Sequence, residues 1–216
     1  MDSFKFFLAL HICGGITALI IAPLAMITVK GGGWHRRWGR IFFWAMAEVA
    51  VTAAILCWLR SGLFLFLIAL FSFYLALTGY RALYRKNPDA RPHVFDFLIA
   101  ITMLVAGFSL IYLELVDRDK QLGLIPMIFG LIGLQLGGLD ILRLVKPCRA
   151  NKAWMLLHCT RFLSAYVAAV TAFSVVNFQF LPNFWRWLGP TILGTSCITA
   201  LRIYYARKFK KESDVQ

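Results

Sequence analysis

Apolar residues run through this chain in long blocks, with polar residues gathered between them. The first block, at about 5–29, has no charged residue after Lys5, and six more follow at about 41–59, 63–84, 93–115, 124–145, 154–178 and 188–206. A helix needs about 20 residues to cross the hydrocarbon core of a bilayer. Inside lipid the backbone must satisfy its own polar groups, which a helix does within one segment. No block alternates apolar and polar positions with the period of two that barrel strands require. The pattern predicts an all-α, polytopic membrane protein: a bundle of seven transmembrane helices in a single domain over 1–206, then a short basic tail at 207–216.

The breaks carry turn chemistry. "CWLRSGLF" turns the second block into the third through Arg60, Ser61 and Gly62, and "RKNPDARP" separates the third from the fourth. "VDRDKQLG", "KPCRANKAW" and "QFLPNFWRWLGP" mark the later boundaries, all of them too short to hold an inserted soluble domain. The opening run continues too far for a signal-peptide core of about 7–15 residues, so it reads as an uncleaved first span.

Composition agrees. Hydrophobic residues make up 60% of the chain and charged ones only 15%, against about 25% charged in an ordinary soluble domain. The mean hydropathy is +0.72. A net charge of +13 in a soluble protein would point to nucleic acid, but here the cations sit in alternate short connections rather than along one stripe. "KGGGWHRRWGR" after the first span is the densest, with Lys30, Arg36, Arg37 and Arg40; Arg85, Lys86 and Arg91 follow the third span, and Lys146, Arg149 and Lys152 the fifth. Short loops rich in Lys and Arg stay in the cytoplasm. This places the N-terminus outside and the C-terminus inside, with anionic lipid as the partner of the cations and no role for nucleic acid. Trp34 and Trp38 suit the headgroup level.

Ionisable residues near or within spans are costly in lipid and mark candidate sites. His35 precedes the second span, and His93 and Asp96 open the fourth at i, i+3. His158 and Arg161 repeat that spacing at the start of the sixth, and Asp140 and Arg143 near the inner end of the fifth. All map to the cytoplasmic side. The plainer reading is that Asp96, Asp140, Arg143 and Arg161 neutralise one another and fix helix register. The functional reading is a metal or haem site with His35, His93, Asp96 and His158 as candidate ligands, since neutral imidazole nitrogens bind transition metals and haem iron. His11 and Glu48 are the deeper intramembrane candidates, the first a packing residue or ligand, the second a proton carrier or helix partner.

The five cysteines (Cys13, Cys57, Cys148, Cys159 and Cys197) form no CxxC pair, and no CxxCH site for covalent haem is present. HExxH, P-loop and dinucleotide fingerprints are likewise absent from the sequence.

Two stretches carry a resemblance. "LHICGGITALIIAPLAMITVKGGGWHRRWGRIFFWAM" (10–46) leads an apolar helix into His-Arg-x-x-Gly-Arg, and "WMLLHCTRFLSAYVAAVTAFSVVN" (154–177) holds the second signature. Together they resemble a bacterial family of multi-span membrane proteins known only as a domain of unknown function. That resemblance implies a helical inner-membrane protein and brings no substrate or catalytic residue. A looser likeness is to transmembrane b-type cytochromes, which place histidine pairs near helix ends. With only His11 on the outer side, it implies one inner haem b held by two of His35, His93 and His158. A cofactor-dependent redox role, a small proton-coupled transporter using Asp96, Asp140, Arg161 and Glu48, and a non-catalytic subunit with a membrane-protein partner or second copy all stay open on the sequence.

Overall fold

The computed structural model describes residues 3–60, 62–87, 91–116, 122–146 and 152–214, with side chains to 209. Among these, all regular structure is helical. The order is α1 (Ser3–Ile27), α2 (Gly33–Arg60), α3 (Leu63–Arg81) with a 3-10 turn at Ala82–Lys86, α4 (Val94–Val116), α5 (Ile125–Val145), α6 (Ala153–Asn177) and α7 (Asn183–Asp214). Each apolar block has become one helix.

Six of the seven, α1 to α6, are long and apolar enough to cross a membrane. The expected seventh span, α7, is not among them, because glycine, threonine, serine and Arg202 dilute its apolar residues. α7 continues without a break through the basic stretch after 206 as far as Asp214. Phe209 anchors this extension: it is buried, packs on Tyr205, and takes the Lys152 ammonium 4.7 Å from its ring centre.

The stretch "KGGGWHRRWGR" also differs from a plain loop. Gly31, at φ +77°, makes the turn in a left-handed conformation open mainly to glycine. The following Trp, His and Arg residues already belong to α2, and Trp34 and Trp38 stack one turn apart.

Packing joins neighbours in sequence. α1 lies on α2, α4 on α5 and α6 on α7, while α3 touches α2, α4 and α6. The pairs are antiparallel. On α1 and α2, His11 bonds to Thr52 while Ala25 bonds to His35; on α6 and α7, Thr171 meets Thr191 while Val175 meets Arg186. Lipid tails offer no hydrophobic contrast to drive helices together, so close van der Waals fit must do it. At the α4–α5 crossing a methyl on Gly107 would stand 2.9 Å from the Gly130 carbonyl oxygen, and one on Gly130 2.8 Å from that of Gly107. These two backbones meet because neither residue has a side chain.

Leu67, Phe71, Tyr74 and Leu75 of α3 are buried at the centre of a single core, where Phe71 meets Phe129 edge-on. The outer surface is apolar as well: Ile20, Trp58, Val105, Leu131, Val176 and Leu193 are all exposed. A protein surrounded by water rarely leaves so continuous an apolar surface bare. Lipid is its natural solvent.

Candidate functional site

The turn between α1 and α2, the end of α3 and the start of α6 meet at one end of the bundle. There the His35 ring of α2 faces the His158 ring of α6, with centres 6.4 Å apart and planes 77° apart. His35 Nδ1 donates to the Ala25 carbonyl at 2.9 Å, and His158 Nδ1 donates to the Gly79 carbonyl at 2.9 Å. A carbonyl oxygen only accepts, so each ring carries a proton on Nδ1, and the neutral ring then has its lone pair on Nε2. This tautomer is the one a backbone carbonyl imposes on metal-binding histidines. Gly79 permits the approach of α6: a methyl there would fall 2.5 Å from Phe162 Cδ2 and 3.0 Å from Arg161 Cβ. Phe162 in turn lies against the His158 ring, 4.7 Å between centres.

A second cluster links α3, α5 and α6. The Asp140 carboxylate accepts from Tyr74 Oη at 2.5 Å, from Arg143 Nη1 at 2.8 Å and from Arg161 Nη2 at 2.7 Å. The Arg161 guanidinium also lies over the Tyr74 ring, 5.2 Å from its centre. Asp140 is 7% exposed and Arg161 only 2%. Two guanidinium groups share one carboxylate, and among the described residues the buried Arg161 Nη1 has no hydrogen-bond partner.

His93 and Asp96 do not join the histidine pair. They cap α4: the Asp96 carboxylate accepts from the His93 backbone N–H at 3.1 Å, and His93 Nδ1 accepts from the Phe95 N–H at 3.1 Å. This reciprocal arrangement is a capping box built from histidine and aspartate. The same carboxylate holds the Arg81 guanidinium through two bonds, at 2.8 and 3.0 Å. The i, i+3 spacing that made the pair look like ligands is the spacing of a helix cap. Asp96 therefore pairs with Arg81, while Asp140 pairs with both Arg143 and Arg161.

His11 bonds across the α1–α2 seam to the Val49 carbonyl and to Thr52 Oγ1, at 3.2 and 3.0 Å, a packing role. Thr52 spends its own proton on the Glu48 and Val49 carbonyls and can only accept from the imidazole. Glu48 itself is exposed and lines a shallow groove with Thr17, Arg37, Arg40, Ile41, Trp44 and Ala45.

Two features escaped the sequence reading. Tyr74 reads as one more aromatic in an apolar helix, and only the fold puts its hydroxyl on Asp140. Glu114, buried at 5% exposure near the end of α4, was legible as an acidic residue in "YLELV" and was passed over.

Among the described residues no three His, Cys, Asp or Glu side chains gather where they could hold one metal ion. Of the candidate ligands His35, His93, Asp96 and His158, the two whose rings meet are His35 and His158. Structural zinc takes four protein ligands and catalytic zinc three. Haem iron takes four nitrogens from the porphyrin and asks the protein for one or two axial ligands, so a pair suffices. Comparison of the chain with protein-family models, with curated proteins and with solved structures returns no match.

Proposed function

We propose that this chain is a multi-pass inner-membrane protein that holds one haem b between His35 and His158 for one-electron transfer. The observation that carries the reading is the spacing of the two rings. The two rings come from separate helices with centres 6.4 Å apart, and a pair of imidazoles is what would hold a haem iron. The tautomers support it too, since both rings keep Nε2 for a ligand. The haem, when bound, supplies a reversible ferric–ferrous couple. His35 and His158 would hold it, the Ala25 and Gly79 carbonyls orient the two rings, and Phe162 shields one side of His158.

In this reading α7 completes a seven-helix bundle with the N-terminus outside and the His35–His158 end facing the cytoplasm, as the alternate basic connections require. The likenesses to the multi-span family and to b-type cytochromes accord with that placement.

The test is the absorption spectrum of the full chain purified from haem-replete cells. A six-coordinate low-spin spectrum at about one haem per chain, lost in His35→Ala and in His158→Ala, is expected. Colourless protein, or a spectrum unchanged by both substitutions, overturns the reading. A reporter fused at either terminus tests the orientation.

A transport reading has one observation in its favour: Glu48 is exposed in a groove of about 600 Å³ beside Arg37 and Arg40. Asp96, Asp140 and Arg161, the other residues such a role needs, are engaged in ion pairs. Proton-coupled uptake that disappears in Glu48→Gln, in colourless protein, would favour transport over haem.

A further inference from the structure

Several basic residues at this end of the bundle are spent inside the fold. Lys30 donates to the Ala25 and Met26 carbonyls at the end of α1, Arg81 pairs with Asp96, and Lys152 lies over Phe209. Arg37 and Arg40 are different. Both are exposed, and among the described residues neither pairs with a carboxylate. Standing at i, i+3 on α2, they share one face of the helix, with Cβ atoms about 5–6 Å apart. Both line the groove between α1 and α2.

Their depth follows from helix length. α2 has 28 residues and is roughly 42 Å long, against about 30 Å for the hydrocarbon of a bilayer. The stretch from Ile41 to Leu59 holds no cation and rises roughly 28 Å. Hydrocarbon takes that stretch, and Arg37 and Arg40 fall at its edge, where long cationic side chains reach the headgroup phosphates. Below them the groove is walled by Ile41 and Trp44, the latter 68% exposed, with Thr17 of α1 opposite. Glu48 closes the deep end, roughly 12 Å further along α2 than Arg40. Its carboxylate is folded back on α1 at Gly14, where a methyl would stand 3.1 Å from Oε2. This order suits a molecule with one anionic head and an apolar tail, and it repels one with negative charge at both ends.

We infer that the α1–α2 groove is a seat for one anionic glycerophospholipid, its phosphate between the Arg37 and Arg40 guanidinium groups and an acyl chain over Ile41 and Trp44. Guanidinium–phosphate hydrogen bonds are charge-assisted, and the planar fork matches the phosphate oxygens. A lipid with a choline head offers the same phosphate but brings a cation toward the two arginines, so the seat discriminates by net headgroup charge. The inference is independent of the His35–His158 reading.

The experiment is native mass spectrometry of the full chain in detergent, titrated with phosphatidylglycerol or with phosphatidylcholine of the same acyl chains. Wild-type protein is expected to take up its first phosphatidylglycerol at least roughly tenfold more tightly than phosphatidylcholine. Arg37→Gln combined with Arg40→Gln is expected to abolish that preference. Arg207→Gln combined with Lys208→Gln, which removes the same charge from the end of α7, is expected to leave it intact, and inorganic phosphate is expected not to displace the lipid. Equal affinity of the wild type for the two lipids overturns the inference, and that comparison needs no variant to fold. Equal loss of preference in the two double variants also overturns it, since diffuse attraction to the basic end would produce that result. Displacement by inorganic phosphate does so too, by showing an anion site with no seat for the lipid.

Discussion

His35 and His158, from the second and sixth helices, face each other with ring centres 6.4 Å apart, and each donates its Nδ1 proton to a helix carbonyl. Their neighbours in sequence do other work. His93 caps α4 and His11 pins α1 to α2. His93→Ala and His11→Ala are therefore expected to retain cofactor at wild-type stoichiometry, in contrast to His35→Ala and His158→Ala. Haem content per chain measures this, and loss of cofactor in His93→Ala would refute the assignment of ligands.

In the haem reading proposed above, His35 and His158, whose ring planes are 77° apart, would hold the group, and the haem would supply a ferric signal whose shape reports the angle between the rings. A strongly anisotropic low-spin electron paramagnetic resonance signal is expected at low temperature. A signal of the rhombic, parallel-plane kind would contradict the geometry.

Asp140→Ala strands two guanidinium groups, one of them almost wholly buried. Removing one partner of a buried charged network costs about 3–5 kcal/mol. Tyr74→Phe removes only a hydroxyl and leaves Asp140 with both cations, for about 1 kcal/mol. Denaturation of the two variants in the same detergent should separate them clearly, and equal losses would show that the carboxylate is not the centre of the cluster.

Asp96→Ala removes a paired carboxylate as well, but in a less enclosed setting. The Arg81 side chain retains 22% of its exposure and can rehydrate. About 1 kcal/mol is expected from the lost cap and ion pair together. A loss as large as that of Asp140→Ala would mean that the α4 entry is far more tightly built than its exposure implies.

Gly79→Ala places a methyl 2.5 Å from the Phe162 ring. The ring must give way, or α6 must move off α3 and carry His158 with it. A stability loss of about 1–3 kcal/mol is expected, together with weaker retention of haem. Unchanged retention would show that the imidazole pair does not depend on this crossing.

How much of this was readable without coordinates depends on the distance over which each signal acts. Helix number follows from local hydropathy, and all seven helices lie where the blocks put them. The end of α7 was misjudged because Phe209 is held by Lys152, a contact across the fold that no local window contains. Asp140 with Arg143 was legible, being one turn apart on one helix. Arg161 already stood in the sequence-level set of mutually neutralising residues, but its particular place on Asp140 and Tyr74 as the donor were not legible, since three helices must pack before those groups meet. The spacing of His93 and Asp96 was seen but given the wrong meaning, because a cap and a ligand pair share the same offset. Which two histidines converge was likewise beyond the sequence: the choice is made by the antiparallel fit of α1 on α2 and of α6 on α3.

That pairing of neighbouring helices bears on assembly. Sequential hairpins can form one after another as the chain emerges, yet His35 arrives with the first of them and His158 with the last. The imidazole pair cannot exist in a truncated or half-assembled chain. Any ligand gripped by both rings would clasp α2 to α6, and its capture would mark the moment at which these two helices have come together.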